Sequence, residues 1–368
     1  MSSVTQLLHA FGESGTNVAE GYPRWGFTPS QRAIVERLPE MMLTAQSTPY
    51  GTLEARAQRA LLDPLGQRTA PVATGRILSY YAAGVAIDLV GRCLAARTGT
   101  VGVIHPTLDC LPALIRGRGL RTIPISEPRL RRRDPLAGLE AIGGLYIANP
   151  NNPTGGVLDP DELRRLAEAC VRRNVALAID ACFRVFDPAA QYDTYAVLDA
   201  TGVDYVVIED SGKLWPLAGI RLAFLAFPEH TKLGIAEASA DLLMNAPPFS
   251  ALVVEAFAND MAAGGMAVIH RQIATNREIL AEALAGSGAH LVDNGTKVSM
   301  ALLRMPEGHS STRLWGRLLR RGVHAVPGRP IWWARPRQGD HYLRVALARE
   351  PDVIERAGGE IRAELDAG

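Results

Sequence analysis

Lysine is scarce in this chain of 368 residues: of 39 basic residues only Lys213, Lys232 and Lys297 are lysines. Any chemistry that needs a lysine amine therefore has few candidates. Aromatic residues make up 6% of the sequence, so leucine, valine, isoleucine and alanine must fill most of the core. The four cysteines, Cys93, Cys110, Cys170 and Cys182, lie too far apart for a CxxC pair. That excludes a zinc ribbon, a dithiol redox motif and a disulfide scaffold, and it fits a reduced, cytoplasmic setting. A net charge of +1 gives no electrostatic reason to expect nucleic acid or an anionic membrane as a partner. The N-terminus lacks a basic start followed by an apolar core, and no apolar run approaches about 18 residues, so neither a signal peptide nor a membrane span is expected. One local exception to the even charge is Arg129, Arg131, Arg132 and Arg133, which Pro128 and Pro135 flank. This run reads as a solvated connection.

What is present divides into three parts. Residues 1–45 read as an arm, in which Ser30 caps a helix carrying Ile34, Leu38 and Met41 at helical spacing. Residues 46–275 read as a large domain and residues 276–368 as a smaller α+β domain, with the boundary near AGSGAH. In the large domain, apolar runs at 101–104, 145–148, 175–180, 205–208 and 221–227 alternate with helices at 84–96 and 160–173. Near-continuous apolar strands belong to a sheet covered on both faces, which predicts a doubly wound α/β domain. A long helical region follows over about 250–286.

Ligands of such sheets gather where strands end at the carboxyl edge. Three of the predicted strands end there in polar residues: Asn149-Pro150-Asn151-Asn152-Pro153-Thr154-Gly155, then Asp180, then Glu209-Asp210-Ser211-Gly212-Lys213. Pyridoxal phosphate needs a lysine for its covalent attachment, an acid for its ring nitrogen, and cationic and backbone donors for its phosphate. Lys213 is the lysine at a strand end, and Asp180 needs a buried cation such as a pyridinium. Arg221 opens the next strand, where its fork can grip phosphate. Backbone N–H groups at Ala83 and Gly84, where a helix begins, supply further phosphate donors.

In these residues the chain resembles the fold-type-I, aspartate aminotransferase-like pyridoxal phosphate enzymes over roughly residues 16–350. The resemblance implies a homodimer with a small-molecule amino acid as substrate. It also implies that Asn152 binds the cofactor's phenolic oxygen, that Leu108 and Cys182 line the cofactor, and that Arg344 in HYLRVALAR grips the substrate carboxylate.

Three positions depart from an ordinary aminotransferase. Phe183 stands where the family commonly has a tyrosine three residues after the ring-nitrogen acid. Leu108 stands where an aromatic stacks on the ring, which forgoes about 0.5–1.5 kcal/mol of stacking. Asp210 replaces a common serine. The segments TNVAEGYPRWGFTPSQ, HPTLDCLPALIRGRGL, YAVLDATGVDYVVIEDSGKLWP and GDHYLRVALAR resemble the pyridoxal phosphate-dependent L-arginine oxidases and hydroxylases of enduracididine-type biosynthesis, which use O2. This resemblance implies that Lys213 moves the Cα proton and that Asp210 holds the guanidinium, with Asp210 and Tyr22 as further catalytic candidates. Tyr22 stands in place of a histidine of those enzymes, and a phenol is a poor base at neutral pH. Leu8 stands in place of an acid of the arm, for which Glu13 or Glu20 is the substitute. These differences leave two alternatives open: a lyase or cyclase acting at Cβ or Cγ, and an aminotransferase. Tyr22, Trp25, Trp332 and Trp333 lie in segments that either close over the site or pack the small domain.

Overall fold

Alternation of apolar strands with amphipathic helices builds a large domain around one central sheet. The computed structural model describes residues 4, 6, 15–139, 141–217, 219–292 and 295–367. Its strands are β1 (Thr16–Asn17), β2 (Ile77–Tyr80), β3 (Thr100–His105), β4 (Arg121–Ser126), β5 (Gly144–Ala148), β6 (Ala176–Asp180), β7 (Tyr205–Asp210) and β8 (Ala223–Ala226), followed by β9 (His290–Leu291), β10 (Met300–Arg304), β11 (Val323–His324), β12 (Val326–Pro327) and β13 (Tyr342–Ala346). The central sheet has the order β2-β8-β7-β6-β5-β3-β4. Its strands run parallel except β8, which is antiparallel to both β2 and β7.

The reversal of β8 matters for the site. Asp210 at the end of β7 lies in register with Ala223 at the start of β8. Arg221, just before β8, is thereby brought to the edge where the parallel strands end.

Four of the five expected strands occur as β3, β5, β6 and β7, and the fifth as β8. β2 and β4 were not expected. β2 has only four residues, and β4 is an edge strand that carries Pro124 and is largely exposed, so neither shows a continuous apolar run. The helices expected at 84–96 and 160–173 occur as Ala83–Arg97 and Pro160–Arg172. The second is closed by a capping box in which Asp159 accepts from the Glu162 N–H and Glu162 accepts from the Asp159 N–H. Among the basic run, Arg131, Arg132 and Arg133 are exposed, while Arg129 donates to the Pro135 carbonyl and Arg131 to Glu162.

The long helical region is interrupted. Pro248–Asp260 and Met266–Ala283 are joined by a π turn, Met261–Gly265, in which Gly264 adopts φ 127°. Only glycine takes that backbone angle without strain. By length and composition, Pro248–Ala283 is apolar enough to cross a membrane, contrary to the sequence expectation that no such stretch exists. Its packing is that of a core helix, however. Leu252, Val253, Val254 and Phe257 are buried, with the first half against Tyr50–Leu62 and the second against Pro351–Asp366.

A smaller sheet of order β12-β13-β10-β9 is wholly antiparallel. The arm pairs beside it: β1 and β11 form a separate two-stranded parallel sheet, and the Ala346 N–H of β13 donates to the Val18 carbonyl at 2.7 Å.

The arm helix departs from expectation in two ways. Its N-cap is Thr28, not Ser30, because Thr28 and Gln31 form a reciprocal capping box around Pro29. The helix also stops at Glu36, and a second begins at Leu38, with Pro39 in its first turn. Proline there removes a donor that a continuous helix would need. Thr28→Ala should therefore cost about 1 kcal/mol of unfolding free energy, whereas Ser30→Ala should cost only a few tenths. Urea denaturation of the two variants checks this ordering.

Candidate active site

The ends of β5, β6 and β7 deliver three polar segments to one edge of the sheet. After β5, two of the three asparagines build the loop: Asn149 accepts from the Leu158 N–H at 2.8 Å, and Asn151 donates to the Pro106 carbonyl at 2.9 Å. Asn152 is left over. It is 7% exposed, and its side-chain oxygen is buried with no hydrogen-bond partner among the described residues. Since the two ends of an amide are interchangeable in placement, Asn152 can present either N–H or oxygen to a ligand.

Asp180 closes β6 and accepts from the Cys182 N–H at 3.0 Å. Burial pushes its carboxyl above the usual range; the Cys182 hydrogen bonds pull it down, nearby Asp210 raises it further, and Lys213 opposes that. A cation bound at Asp180 would relieve the cost.

After β7 the chain makes a short 3-10 turn, Ser211–Lys213, which Asp210 caps by accepting from the Gly212 N–H at 2.9 Å. Glycine is needed at 212 because a Cβ there would stand 2.7 Å from Arg221 Cδ. The turn thus presents Lys213 with Arg221 packed against its backbone. Both cations meet the arm at Tyr22, whose ring centroid lies 4.2 Å from Lys213 Nζ and 4.8 Å from the Arg221 guanidinium carbon. At the start of the helix Ala83–Arg97, Ala82 provides no side-chain cap, and the space beside Gly84 is open. An anion at these N–H groups would meet the positive end of the helix dipole.

Arg344 lies on β13, 2% exposed. One of its terminal nitrogens donates to the Ala19 carbonyl, and its Nε is buried without a partner among the described residues. Burial lowers its pKa to about 10, although Asp109 and Cys110 act in the opposite sense. The Ala19 carbonyl that Arg344 holds lies two residues before Gly21, which packs beside the Lys213 side chain, so the arm brings Arg344 toward Lys213. A buried guanidinium with an unused donor fits a bound carboxylate.

The structure thus brings together Lys213, Asp180, Asp210, Arg221, Cys182 and Tyr22, with Arg344 facing the same region. Glu20 is otherwise engaged, its carboxylate accepting from Arg24 at 2.7 and 2.9 Å. Leu108 is half-buried against Ala19, Val326 and Trp332. Leu8 and Glu13 lie outside the described residues. Of the tryptophans, Trp332 stacks on Tyr342 at 4.4 Å, and Trp333 donates to the Ile104 carbonyl at 3.0 Å. Trp25 packs partly buried against the main core. These contacts are those of packing residues.

Two residues that sequence reasoning missed stand out. Asp109, next to Leu108, accepts from the Val4 N–H at 2.8 Å, while its other oxygen is buried without a hydrogen-bond partner among the described residues. Arg349 is 1% exposed and binds the arm. An acid directly after HPTL was a signal for the first; five-residue spacing from Arg344 gave none for the second.

This arrangement defines a pyridoxal phosphate enzyme of aminotransferase architecture. The sequence pattern of the aminotransferase class I and II family matches residues 42–361, and the chain belongs to that family. Among solved structures it is similar to MppP soaked with the product 2-ketoarginine, at 37% identity and a TM-score of 0.91 over 95% of this chain and 99% of that one. It also resembles the aspartate aminotransferase of Thermus thermophilus with maleate, at a TM-score of 0.79 over 99% of this chain and 97% of that one; 16% identity makes this a likeness of fold. Among curated proteins it is similar to the aromatic aminotransferase ISS1 of Arabidopsis thaliana, 27% identical over 216 residues, or 57% of this chain and 52% of that protein. A histidinol-phosphate aminotransferase of Rhodospirillum centenum is 28% identical over 180 residues, 48% of this chain and 46% of that one. These matches span about half the length of the curated relatives.

The family's cofactor is pyridoxal phosphate, and the residues fit it: the unmatched Asn152 amide, the costly Asp180 carboxyl and the open helix start at Gly84 are each improved by such a ligand. When bound, it supplies an electron sink for the bonds at an amino acid's Cα. Lys213 would be joined to it, Asp180 would face its ring nitrogen, and Arg221 with the N–H groups of Ala83 and Gly84 would hold its phosphate.

Two outcomes are expected. Lys213→Ala should abolish the absorbance of the lysine-bound cofactor, as a spectrum of the reconstituted protein would reveal. For Asp180, a carboxyl whose folded pKa is raised costs stability above that pKa, and the cost disappears as pH falls below it. Asp180→Asn removes that cost, so the cofactor-free variant should melt at a higher temperature than cofactor-free wild type at pH 7 while retaining less cofactor. Calorimetry and equilibrium dialysis measure the two effects.

Proposed function

We propose that the protein oxidises L-arginine, or a close cationic analogue, at Cα with O2. In balanced form the amino acid, one O2 and one water give the 2-oxo acid, ammonia and hydrogen peroxide; two electrons pass from the Cα–N unit to oxygen. The observation that carries this reading is the surplus of acid in the site. Once Asp180 is assigned to the cofactor, Asp210 and Asp109 remain to face the substrate, and one Asp109 oxygen is buried with no hydrogen-bond partner among the described residues. A guanidinium or ammonium is the group that answers such carboxylates. Likeness to MppP, whose structure was soaked with the product 2-ketoarginine, supports the same substrate class.

In this reading Arg344 holds the α-carboxylate and fixes the amino acid's orientation. Lys213 takes the proton from Cα. Asp210 and Asp109 bind the far cationic end, and Tyr22 covers Lys213 from the arm side, excluding water.

Oxygen uptake, peroxide and ammonia should appear in equal amounts when the cofactor-loaded protein meets L-arginine, and L-citrulline, its neutral isostere, should be a far poorer substrate. Turnover of arginine without oxygen uptake would instead favour a lyase or cyclase, and an amino-acceptor requirement would favour an aminotransferase. Asn can still accept the Gly212 and Val4 hydrogen bonds, so Asp210→Asn and Asp109→Asn remove charge with little else. Each should raise KM for arginine by about 10- to 100-fold, with little change for citrulline.

A further inference from the structure

Arg349 follows β13 and is almost fully buried, yet its hydrogen bonds go to backbone carbonyls rather than to a carboxylate. Nε donates to Asn17 at 2.5 Å, Nη1 to Tyr22 and Ala348 at 2.7 Å each, and Nη2 to Glu20 at 2.7 Å. Three of these four acceptors belong to the arm. Burial, then Arg24, pull its pKa down to about 9, with Glu20 acting against them. A leucine would fill such a space without the cost of desolvating a charge, so the guanidinium is retained for what it binds.

What it binds is the segment that reaches the cofactor lysine. Between the Glu20 and Tyr22 carbonyls lies Gly21, where a Cβ would come within 3.8 Å of Lys213 Cδ and Cε. Tyr22 then places its ring over Lys213 and Arg221. The backbone beyond is held too, since the Arg24 N–H donates to the Ala348 carbonyl at 2.9 Å. A planar fork can hold carbonyls in several directions at fixed mutual geometry, which an ammonium cannot.

We propose that Arg349 is a positioning residue: by gathering the carbonyls of Asn17, Glu20 and Tyr22, it fixes the Tyr22 ring over Lys213 and Arg221. It touches neither substrate nor cofactor and acts through Tyr22. The inference rests on the reading of Lys213 as the cofactor lysine.

The test uses the cofactor-loaded protein with Arg349→Gln, Arg349→Lys, Tyr22→Ala and the double variant Arg349→Gln/Tyr22→Ala. Hydrogen exchange at residues 17–24 should quicken by about tenfold or more in Arg349→Gln, with exchange at β10 unchanged. The second readout is the pH midpoint of the lysine-bound cofactor's absorbance. Lys213 stands among Tyr22, Arg221, Asp180, Asp210, Cys182 and Cys110, of which only Tyr22 is displaced. Loss of its ring face disfavours the cationic form, so the midpoint should fall by about half a pH unit or more. Arg349→Gln, Tyr22→Ala and the double variant should show the same shift, because they remove one contact. Arg349→Lys should lie with Arg349→Gln, and it decides the matter if the glutamine variant does not fold. A lowered melting temperature with unchanged midpoint and exchange would overturn the proposal, as would additive shifts in the double variant. Absence of lysine-linked absorbance in wild type would overturn the assignment of Lys213 instead, while the exchange result would still judge the fastening of the arm.

Discussion

Arg344 is held out of water with its Nε unmatched, and Asn152 buries an oxygen without a donor, among the described residues. Each such group costs about 1–3 kcal/mol relative to a satisfied one, and Asp180 adds a carboxyl that burial drives toward its neutral form. A protein evolving for stability alone would remove these residues or pair them. In the proposed reading they are answered by two ligands, a cofactor with a cationic ring nitrogen and an anionic phosphate, and a substrate with a carboxylate. The rest of the structure is arranged to hold this unbalanced set in place.

Rigidity comes from the sheet. β5, β6 and β7 are buried along nearly their whole length, so the loops that follow them leave from fixed points. Beneath them Arg184 and Glu209, both buried, form an ion pair at 3.0 Å, and Arg184 also reaches the Ala190 carbonyl and Thr194. Because those partners are fully enclosed, breaking the pair would strand a charge. Burial raises the Glu209 carboxyl and Arg184 pulls it back down, which keeps that charge compensated next to Asp180. The site therefore has one layer of satisfied charge below and one of unsatisfied charge above.

The arm belongs to the same logic. Residues 16–24 are tied to the small sheet through β1, Val18 and Arg349, and they carry Tyr22 to Lys213. The segment's own sequence, TNVAEGYPR, has no apolar periodicity and little tendency to order by itself. Its order comes from β1, from the Val18 carbonyl and from two buried arginines, Arg344 donating to the Ala19 carbonyl and Arg349 to those of Asn17, Glu20 and Tyr22.

Much was legible in the chain alone. Buried strands show as apolar runs because both faces are covered, and Lys213, Asp180, Asn152 and Arg221 are conspicuous because polar residues at the ends of such strands have no structural reason to be there. The sequence could not show β4, whose edge position needs few apolar residues, nor the break between the two arm helices, where Pro39 and the Thr28 capping box outweigh a continuous helical period. It could not separate Asn152 from Asn149 and Asn151 by local chemistry, since only the folded loop decides which amide is consumed by backbone. Nor could it tell that Glu20 is spent on Arg24, that Asp109 is buried and accepts from the Val4 N–H, or that Arg349 fastens the arm. Composition and order along the chain determine which residues are available and which elements they form. Contacts between residues hundreds of positions apart, such as Arg349 with Asn17 or Arg344 with Ala19, exist only once the sheets have packed, and those contacts decide which charges are satisfied by protein and which are left for a ligand.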